Sequence, residues 1–405
     1  TTPGLVGGKH RCILYMSMPT QPWSGDKTYN CSEWRQLTVS DCLNRLGHHR
    51  AKLIHVSGFL NFLDPAIQDL VMPCDLIIFQ RNLVSEQAYS AMEYFQGQGK
   101  PVAVDLDDAY PILPWSNPAH AFWIENSSKL EKNPVVILEE GLRRSDGLIA
   151  PNRLLLQDWK HVTEGYYLQN YARSEWWTNL PARTELKEKR GIPGRFVIGW
   201  GGSISHYDSR WGSGIREAAT HVSRRHPEVL WMVCGNDKRI YDQLEVPWGS
   251  KAWQQGVMPN DWPKIVSTFD IGIAPLYGPY DQRRSWIKGL EYLLGGVPWI
   301  GTTGEPYKDM QGLGNLIENG ANNWEDTLEN TIARIKSLQE EAASRVPVAR
   351  QWFAENQEKT YERVYFEIIN NFKAEKGRLA DLIYVNWSGE SVKEKEENGK
   401  GVQGE

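Results

Sequence analysis

Short apolar runs alternate with amphipathic segments along most of the chain. In the first part, runs with the continuous apolar character of parallel strands lie at residues 11–16, 53–56, 74–80, 101–105 and 148–150. Apolar residues recur at helical spacing over residues 32–46, 85–97 and 139–144, and Gly47 is placed to end the first of these helices. This alternation predicts an α/β domain built around a parallel sheet.

The same alternation begins again after Pro181. Strands are predicted at residues 196–200, 229–234, 269–275 and 298–301. Helices are predicted at residues 214–225, 261–269 and 286–294. A charged and turn-rich stretch at residues 187–194 is a candidate linker. The pattern therefore predicts two doubly wound, Rossmann-like α/β domains in tandem.

The last part of the chain has a different pattern. An apolar stripe over residues 348–372 predicts one long helix, and almost no apolar residue follows Trp387. The predicted organisation is an N-terminal domain at residues 1–180, a second domain at 181–345, a helix at 346–373 and a flexible charged tail at 388–405.

Composition and charge exclude several classes of protein. The 405 residues are 40% hydrophobic and 23% charged, which is typical of globular chains rather than disordered ones. A net charge of −5 argues against a protein that coats nucleic acid. Five scattered cysteines without a CxxC pair indicate reduced thiols, as in a cytoplasmic protein. No apolar stretch approaches the length of a membrane span, and the first residues lack a signal pattern, although a lost leader stays open.

A glycine loop follows the first strand of the second domain. Gly201, Gly202 and Ser203 come directly after this strand, and a helix is predicted soon after them. Glycines let backbone amides approach an anion, and a helix N-terminus favours negative charge. His206 lies in the same loop and could reach a phosphate or a sugar. A tight strand–helix turn without a ligand explains the glycines equally well.

Two charged residues share one face of the predicted helix at residues 286–294. Lys288 and Glu291 are three positions apart, which places them side by side. In a crevice at the strand ends, the lysine could bind phosphate and the glutamate could accept hydrogen bonds from ribose hydroxyls. The alternative is an exposed ion pair, which contributes only a few tenths of a kcal/mol.

Three carboxylates follow the strand at residues 101–105. Asp105, Asp107 and Asp108 could hold a divalent metal, orient a sugar hydroxyl or act as a general base. Clustered carboxylates raise one another's pKa, which suits a base. The alternative is a helix cap surrounded by solvated acids.

Four segments in order resemble one family of enzymes. They are CDLIIFQR, GKPVAVDLDDAYPILP, IGWGGSISHYD, and FDIGIAPL followed by SWIKGLEYLLGGVPWI. Together they resemble GT-B glycosyltransferases, specifically the large retaining family that includes bacterial polysaccharide and phage-encoded enzymes. The resemblance runs from about residue 11 to residue 372, and it implies two Rossmann-like domains with a cleft between them and a C-terminal helix crossing back onto the first.

The resemblance also assigns roles by position. It implies that the nucleotide-sugar donor, such as a UDP-sugar, is bound by Gly201, Gly202, Ser203, His206, Gly235, Ser285, Lys288 and Glu291. It implies a catalytic set of Asp107, Asp108 and Lys288, with Arg81 and Asp105 on the acceptor side. Lys288 would neutralise the departing diphosphate and Glu291 would bind the ribose. No metal and no cofactor other than the donor as co-substrate is expected.

One position departs from the family. Its motif has two glutamates eight positions apart, and the first falls at Arg283. This places a guanidinium where a carboxylate beside the donor sugar is expected, so the sugar contacts and retention of configuration are less secure.

Three rival functions stay open from the sequence. A nucleotide-sugar 2-epimerase uses the same fold, and a non-catalytic sugar-binding protein would retain the donor site without turnover. A metal-dependent transferase would use Asp105 and Asp107 as a metal-binding pair. The acceptor could be a glycan, a lipid-linked sugar, a protein or a hydroxymethylated base in DNA, and the acidic net charge disfavours the last. Oligomeric state is not indicated.

Overall fold

A computed structural model describes residues 11–17, 31–81 and 85–388. The first half contains a six-stranded sheet in the order β2-β1-β3-β4-β5-β6, in which every pair is parallel. Its strands are β1 (Cys12–Ser17), β2 (Arg50–His55), β3 (Leu76–Gln80), β4 (Val102–Asp105), β5 (Leu148–Ala150) and β6 (Gly165–Tyr167). The helices of this half are α1 (Thr38–Leu46), α2 (Val56–Phe59), α3 (Pro65–Val71), α4 (Glu86–Gly97), α5 (His120–Trp123), α6 (Pro134–Arg144), α7 (Arg153–Trp159) and α8 (Ser174–Trp177).

The second half contains another parallel six-stranded sheet, in the order β12-β11-β10-β7-β8-β9. Its strands are β7 (Phe196–Gly201), β8 (Val229–Gly235), β9 (Lys251–Gln255), β10 (Ile271–Ala274), β11 (Trp299–Thr302) and β12 (Asn315–Ile317). Its helices are α9 (Arg183–Lys189), α10 (Tyr207–Gly212), α11 (Ile215–Arg225), α12 (Arg239–Asp242), α13 (Trp262–Val266), α14 (Gly278–Asp281), α15 (Ile287–Leu294), α16 (Ala321–Ala333), α17 (Ile335–Ala349) and α18 (Glu358–Ser388). This strand order is that of the Rossmann fold, which confirms the predicted class.

Local sequence accounts for most of these boundaries. All five residues of β3 and all four of β4 are buried, as expected for central strands covered on both faces. Helix α1 continues a π-helical turn at Glu33–Leu37 and ends at Gly47, whose φ of 78° is accessible to glycine at little cost. Helix α4 begins after Ser85, whose side chain accepts a hydrogen bond from the amide of Ala88.

The candidate linker at residues 187–194 is held by contacts with the second half of the molecule. Its start is helical, since α9 runs to Lys189, and Lys187 is buried. The Lys187 ammonium contacts the Asp270 carboxylate at 2.5 Å and the carbonyl of Arg195 at 2.9 Å. These contacts fix the segment to the second half of the molecule.

The predicted helix at residues 348–372 is divided in the structure. Helix α17 ends at Ala349, two 3₁₀ turns follow at Arg350–Trp352 and Ala354–Asn356, and α18 begins at Glu358. Phe353 between the turns is extended and pairs with Ala172 of the first half, whose carbonyl accepts the amide of Ala354 at 2.8 Å. A continuous helix would lose this backbone pairing.

Helix α18 then crosses back onto the first sheet, as the resemblance implies. Its apolar stripe is buried, and the Tyr15 hydroxyl of β1 donates to the Tyr365 hydroxyl at 2.8 Å. The helix runs to Ser388, and the rest of the predicted tail lies outside the described residues. In the part of the chain that the structure describes, no helix has the length and apolarity to span a bilayer.

Candidate functional site

A cavity of about 420 Å³ lies between the two halves, where strands of both sheets end. In doubly wound folds, ligands bind at this edge of the sheet. Ten of the predicted site residues line the cavity: Asp107, Asp108, Gly201, Gly202, Ser203, His206, Gly235, Ser285, Lys288 and Glu291. Arg81 and Asp105, predicted on the acceptor side, are not among its lining residues.

Glycine is required at the ends of β7 and β8 for steric reasons. A Cβ atom on Gly201 would lie 2.1 Å from the ring of Trp262, and one on Gly235 would lie 2.4 Å from the carbonyl oxygen of Gly202. No side chain tolerates contacts of this kind, so the two strand ends pack directly against their neighbours. The bare backbone here leaves room in the cavity beside it.

The backbone amides of the glycine loop, which the sequence predicts as donors to an anion, are only partly available to a ligand. The amide of Gly202 donates to the carbonyl of Cys234 at 3.0 Å, so it extends the pairing of β7 with β8. The loop continues into a 3₁₀ turn at Ile204–His206 and the six-residue α10, instead of a long helix. Side chains rather than a row of free amides therefore dominate this wall of the cavity.

Lys288 is the central cation of this wall. It stands in the first turn of α15, and its ammonium donates to the carbonyl of Gly201 at 2.6 Å and lies 5.3 Å from the ring centre of Trp200. Burial lowers the pKa of Lys288 to about 8, and the nearby Glu291 carboxylate opposes this shift. Glu291 lies one turn further along α15 and is buried at the same cavity. An anionic ligand here would stabilise the protonated form of Lys288, which burial disfavours.

Arg284 is a second cation in the cavity that the sequence analysis missed. Its guanidinium donates to Asp281 Oδ1 at 2.8 Å, to the carbonyl of Ser205 at 2.9 Å and to His206 Nε2 at 3.0 Å. Burial disfavours its charge, but Tyr280 and Asp281 raise the pKa of Arg284 above the ordinary value. The side chain is thus a fixed, permanent positive charge.

His206 is neutral for a physical reason. Burial, together with Arg284 and Lys288, lowers the pKa of His206 well below its ordinary value. Because Nε2 accepts from Arg284, the ring proton is on Nδ1, and this atom is buried without a hydrogen-bond partner among the described residues. His206 therefore offers the cavity a donor that carries no charge.

A third buried cation lies behind this wall. Arg210 of α10 is 1% exposed, and its guanidinium carbon lies 5.2 Å from the ring centre of Trp200, the indole that Lys288 also contacts. Its Nε and Nη1 atoms have no hydrogen-bond partner among the described residues, and burial lowers the pKa of Arg210 to about 10. The second half thus concentrates positive charge around Trp200.

Arg283 does not lie where the sequence analysis expected it. Its guanidinium pairs with Asp158 of α7 in the first half, with Nη2 donating to Oδ1 at 2.8 Å, and it does not line the cavity. The cavity receives Arg284 instead, one position later. The departure from the family motif consequently does not put the Arg283 guanidinium beside a ligand in this cavity.

The opposite wall carries carboxylates from the loop after β4. Asp107 Oδ1 is buried and has no hydrogen-bond partner in the described part of the chain. Asp108 Oδ1 accepts a hydrogen bond from the Tyr280 hydroxyl at 2.7 Å. Burial and the neighbouring Asp107 raise the pKa of Asp108. This wall can accept hydrogen bonds from a hydroxyl group in the cavity.

Asp105 and Arg81 lie behind this wall. Asp105 forms a buried, two-point ion pair with Arg35, at 2.8 Å for both contacts, so its carboxylate is occupied. Arg81 donates to the Tyr110 hydroxyl at 3.1 Å and to the Cys31 sulfur at 2.7 Å. Both residues therefore support the cavity wall from behind, and their role on the acceptor side stays a prediction.

Several lining residues carried no usable signal in the sequence. They include Cys31, Trp34, Arg35, Asn170, Asn236, Trp262 and Tyr307. They reach the cavity from helices and loops far apart in the chain, and none belongs to a local motif. Arg284 lies in the turn between α14 and α15, before α15 begins at Ile287, so no helical pattern in the sequence links it to Lys288.

The chain matches no protein-family model and no curated protein sequence. It is similar in structure to Anabaena HepE in complex with UDP and glucose, with 14% identity and a TM-score of 0.60 over 87% of this chain and 99% of that one. It is also similar to a glycosyltransferase from Rickettsia africae, with 13% identity and a TM-score of 0.59 over 89% of this chain and 99% of that one. A third similar structure is sucrose-phosphate synthase from Thermosynechococcus elongatus, with 10% identity and a TM-score of 0.59 over 88% of this chain and 100% of that one. This likeness shows the GT-B fold.

Proposed function

We propose that this chain is a glycosyltransferase that moves a sugar from a nucleotide-diphosphate sugar to an acceptor hydroxyl. The observation that carries the proposal is the convergence of Lys288 and Arg284 in a buried cavity at the glycine-rich ends of β7 and β8. Asp281 already compensates the charge of Arg284, whereas burial lowers the pKa of Lys288, so an anion in the cavity would relieve the cost of burying the Lys288 charge. A diphosphate has the charge and the oxygen atoms that Lys288, Arg284 and the His206 ring can bind.

The donor half of the reaction follows from this placement. The bond between the sugar C1 and the phosphate oxygen breaks, and the leaving diphosphate gains charge in the transition state. Lys288 and Arg284 stabilise that charge, because they are held in place before the reaction starts. Glu291, buried one turn after Lys288, is the proposed acceptor of hydrogen bonds from the ribose.

The acceptor half uses the opposite wall. The acceptor hydroxyl attacks C1 on the face that the diphosphate leaves, as retention requires, and C1 passes through an oxocarbenium-like state. The hydroxyl proton goes to the departing phosphate oxygen, while the carboxylates of Asp107 and Asp108 accept hydrogen bonds that orient the acceptor. The Oδ1 atom of Asp107 suits this role, since it is buried at the cavity without a hydrogen-bond partner among the described residues. A glycan is the proposed acceptor class, and DNA is disfavoured by the net charge of −5.

Metal independence and retention of configuration are further parts of the proposal. Lys288 and Arg284 already supply positive charge beside the proposed diphosphate, and the Asp105 carboxylate is held by Arg35, so Asp105 and Asp107 do not fit a metal-binding pair. Retention rests on the resemblance of the donor motif. Turnover that is unchanged by a chelator, and a product whose anomeric configuration by NMR equals that of the donor, would support these two parts.

HepE of Anabaena is described with UDP and with UDP-glucose, which makes UDP the first nucleotide to test on this chain. The experiment is a thermal-shift panel of UDP, GDP, dTDP, CDP and ADP on the wild type, on Glu291→Ala and on the control Glu188→Ala, whose side chain is exposed on α9. A ligand at 100 times its Kd adds about 2.7 kcal/mol. For a chain of this size this raises Tm by about 2–4 °C.

We expect a shift with one nucleotide that Glu291→Ala loses and Glu188→Ala keeps. The absence of a shift with every nucleotide would contradict the proposal at its donor site. Conversion of the matching nucleotide sugar without any acceptor would identify an epimerase instead. Binding without turnover on any glycan would identify a non-catalytic sugar-binding protein.

A further inference from the structure

Tyr280 belongs to the second half of the chain but packs into the core of the first. It lies in α14, is 5% exposed and is part of the hydrophobic cluster that contains Leu106, Tyr110 and Trp123. A tyrosine inserted in this way fixes the position of one half against the other, since removing it would leave a hole in the core of the first half.

The hydroxyl of Tyr280 is bonded to the first half at two points. It donates to Asp108 Oδ1 at 2.7 Å and accepts from Asn117 Nδ2 at 3.3 Å. Asn117 is itself buried, and its side-chain oxygen accepts from the amide of Ala119. The hydroxyl therefore makes one hydrogen bond as a donor and one as an acceptor, and these two bonds fix its orientation.

The ring of Tyr280 contacts Arg284, an arginine of the second half that lines the cavity. The Arg284 guanidinium carbon lies 4.7 Å from the ring centre of Tyr280, which is a cation–π contact. One side chain thus touches a carboxylate on the acceptor wall and a guanidinium on the donor wall. Because the hydroxyl contacts Asp108 and the ring contacts Arg284, a substitution can remove the first contact and keep the second.

We propose that Tyr280 is a positioning residue that couples the two walls of the cavity, its hydroxyl holding Asp108 and its ring holding Arg284. The catalytic part of this role rests on the proposed glycosyl transfer, whereas the contact between the walls does not. Tyr280 touches no ligand in this scheme; it acts through Asp108 and Arg284.

The coupling has a consequence for pH dependence. The Tyr280 hydrogen bond favours the ionised form of Asp108, while burial and Asp107 raise the pKa of that carboxyl. The charged and titratable groups around Asp108 are Asp107, Tyr110, Arg81, Cys31, Tyr280 and Arg284. The substitution Tyr280→Phe removes the donor to Asp108 and the acceptor of the Asn117 hydrogen bond, and it leaves the formal charge of the cavity unchanged.

The test compares Tyr280→Phe, Tyr280→Ala and the matched control Tyr277→Phe, whose ring is half exposed three positions earlier. Tyr280→Phe keeps the ring against Arg284, so we expect the nucleotide Kd to stay within about twofold of wild type. It loses the bond to Asp108, so kcat should fall about tenfold, and the acidic limb of the pH profile should move upward by about one pH unit.

Tyr280→Ala should in addition weaken nucleotide binding about fivefold or more, because Arg284 loses the ring that holds it. Tyr277→Phe should change neither binding nor the pH profile. Equal loss of kcat and of nucleotide affinity in Tyr280→Phe, or an unmoved acidic limb, would overturn the assigned role and indicate a purely structural tyrosine.

A second readout needs neither nucleotide nor turnover. Tm is measured for Tyr280→Phe, Asp108→Ala and the double variant, and direct contact predicts that the two losses are not additive. Additive losses would overturn the coupling. If no nucleotide binds the wild type but the losses are non-additive, the proposed glycosyl transfer fails while the contact between the walls stands.

Discussion

The two walls of the cavity balance their charges in different ways. On the first-half wall, Asp105 is paired with Arg35, Arg81 is bonded to Tyr110, and Asp108 accepts from Tyr280. On the second-half wall, Arg284 is paired with Asp281, but the hydrogen bond of Lys288 goes to a neutral carbonyl, and Arg210 behind the wall contacts an indole ring.

This difference indicates a division of roles. The charges behind the first-half wall are compensated within the protein and hold the fold in place. On the second-half wall, burial lowers the pKa of Lys288, and this cation carries a desolvation cost that an anionic ligand would relieve. Mutations should therefore affect stability on one side and ligand binding on the other, and four measurements test this separation.

The largest effect is expected for Arg35→Ala. The substitution leaves the Asp105 carboxylate buried without its guanidinium, which costs about 3–5 kcal/mol of unfolding free energy. Denaturant unfolding measures the loss. Arg45→Ala is the control, because its ion pairs with Glu175 and Glu355 are exposed and contribute at most about 1 kcal/mol. If Arg35→Ala lowered the unfolding free energy by less than about 1 kcal/mol, the first-half wall would not differ from the second-half wall in its contribution to stability.

Lys288→Met should have the opposite profile. It keeps the aliphatic stem but removes the buried cation, so stability is expected to stay equal or to rise. Nucleotide affinity should fall about 10–100-fold, since a hydrogen bond to a charged group contributes about 1.5–3 kcal/mol. Titration calorimetry measures the affinity, with Lys264→Met on α13, exposed and paired with Asp261, as control. Loss of stability with unchanged affinity would place Lys288 with the structural charges.

The pH dependence of nucleotide binding tests whether the charge of Lys288 binds the ligand. In the free protein the pKa of Lys288 is about 8, so above pH 8 an increasing fraction of the protein must take up a proton to bind the diphosphate. Affinity should therefore fall, by up to about tenfold per pH unit between pH 8 and 10. Calorimetry across this range in Lys288→Met should give a flatter curve, and an equally steep curve would assign the proton to another group.

The smallest effect is expected for Arg283→Ala. Its guanidinium pairs with Asp158 outside the cavity, so nucleotide affinity should stay within about twofold and stability should change by less than about 1 kcal/mol. Arg284→Ala is the matched comparison, and its affinity should fall about tenfold or more. If the two variants gave equal losses of affinity, the neighbouring arginines would not be separated as the structure places them.

Sequence reasoning located the central strands because they are buried on both faces and read as continuous apolar runs. It missed the edge strands β6, β9 and β12, whose residues are partly exposed and whose apolar character is correspondingly weak. It also missed the interruption before α18, because the pairing of Phe353 with Ala172 comes from a distant segment. Short-range periodicity contains no information about such a partner.

The sequence by itself determined the two-domain α/β class, the strand-end positions of Gly201 and Gly235, and the helical position of Lys288, because those properties follow from residue spacing along one element. The tertiary structure alone decided which charges are compensated. Arg35 meets Asp105 across 70 positions, and Tyr280 meets Asp108 across 172. Burial and electrostatic pairing depend on distances in space, and the order of strands in the sheets and the packing of the two halves set those distances.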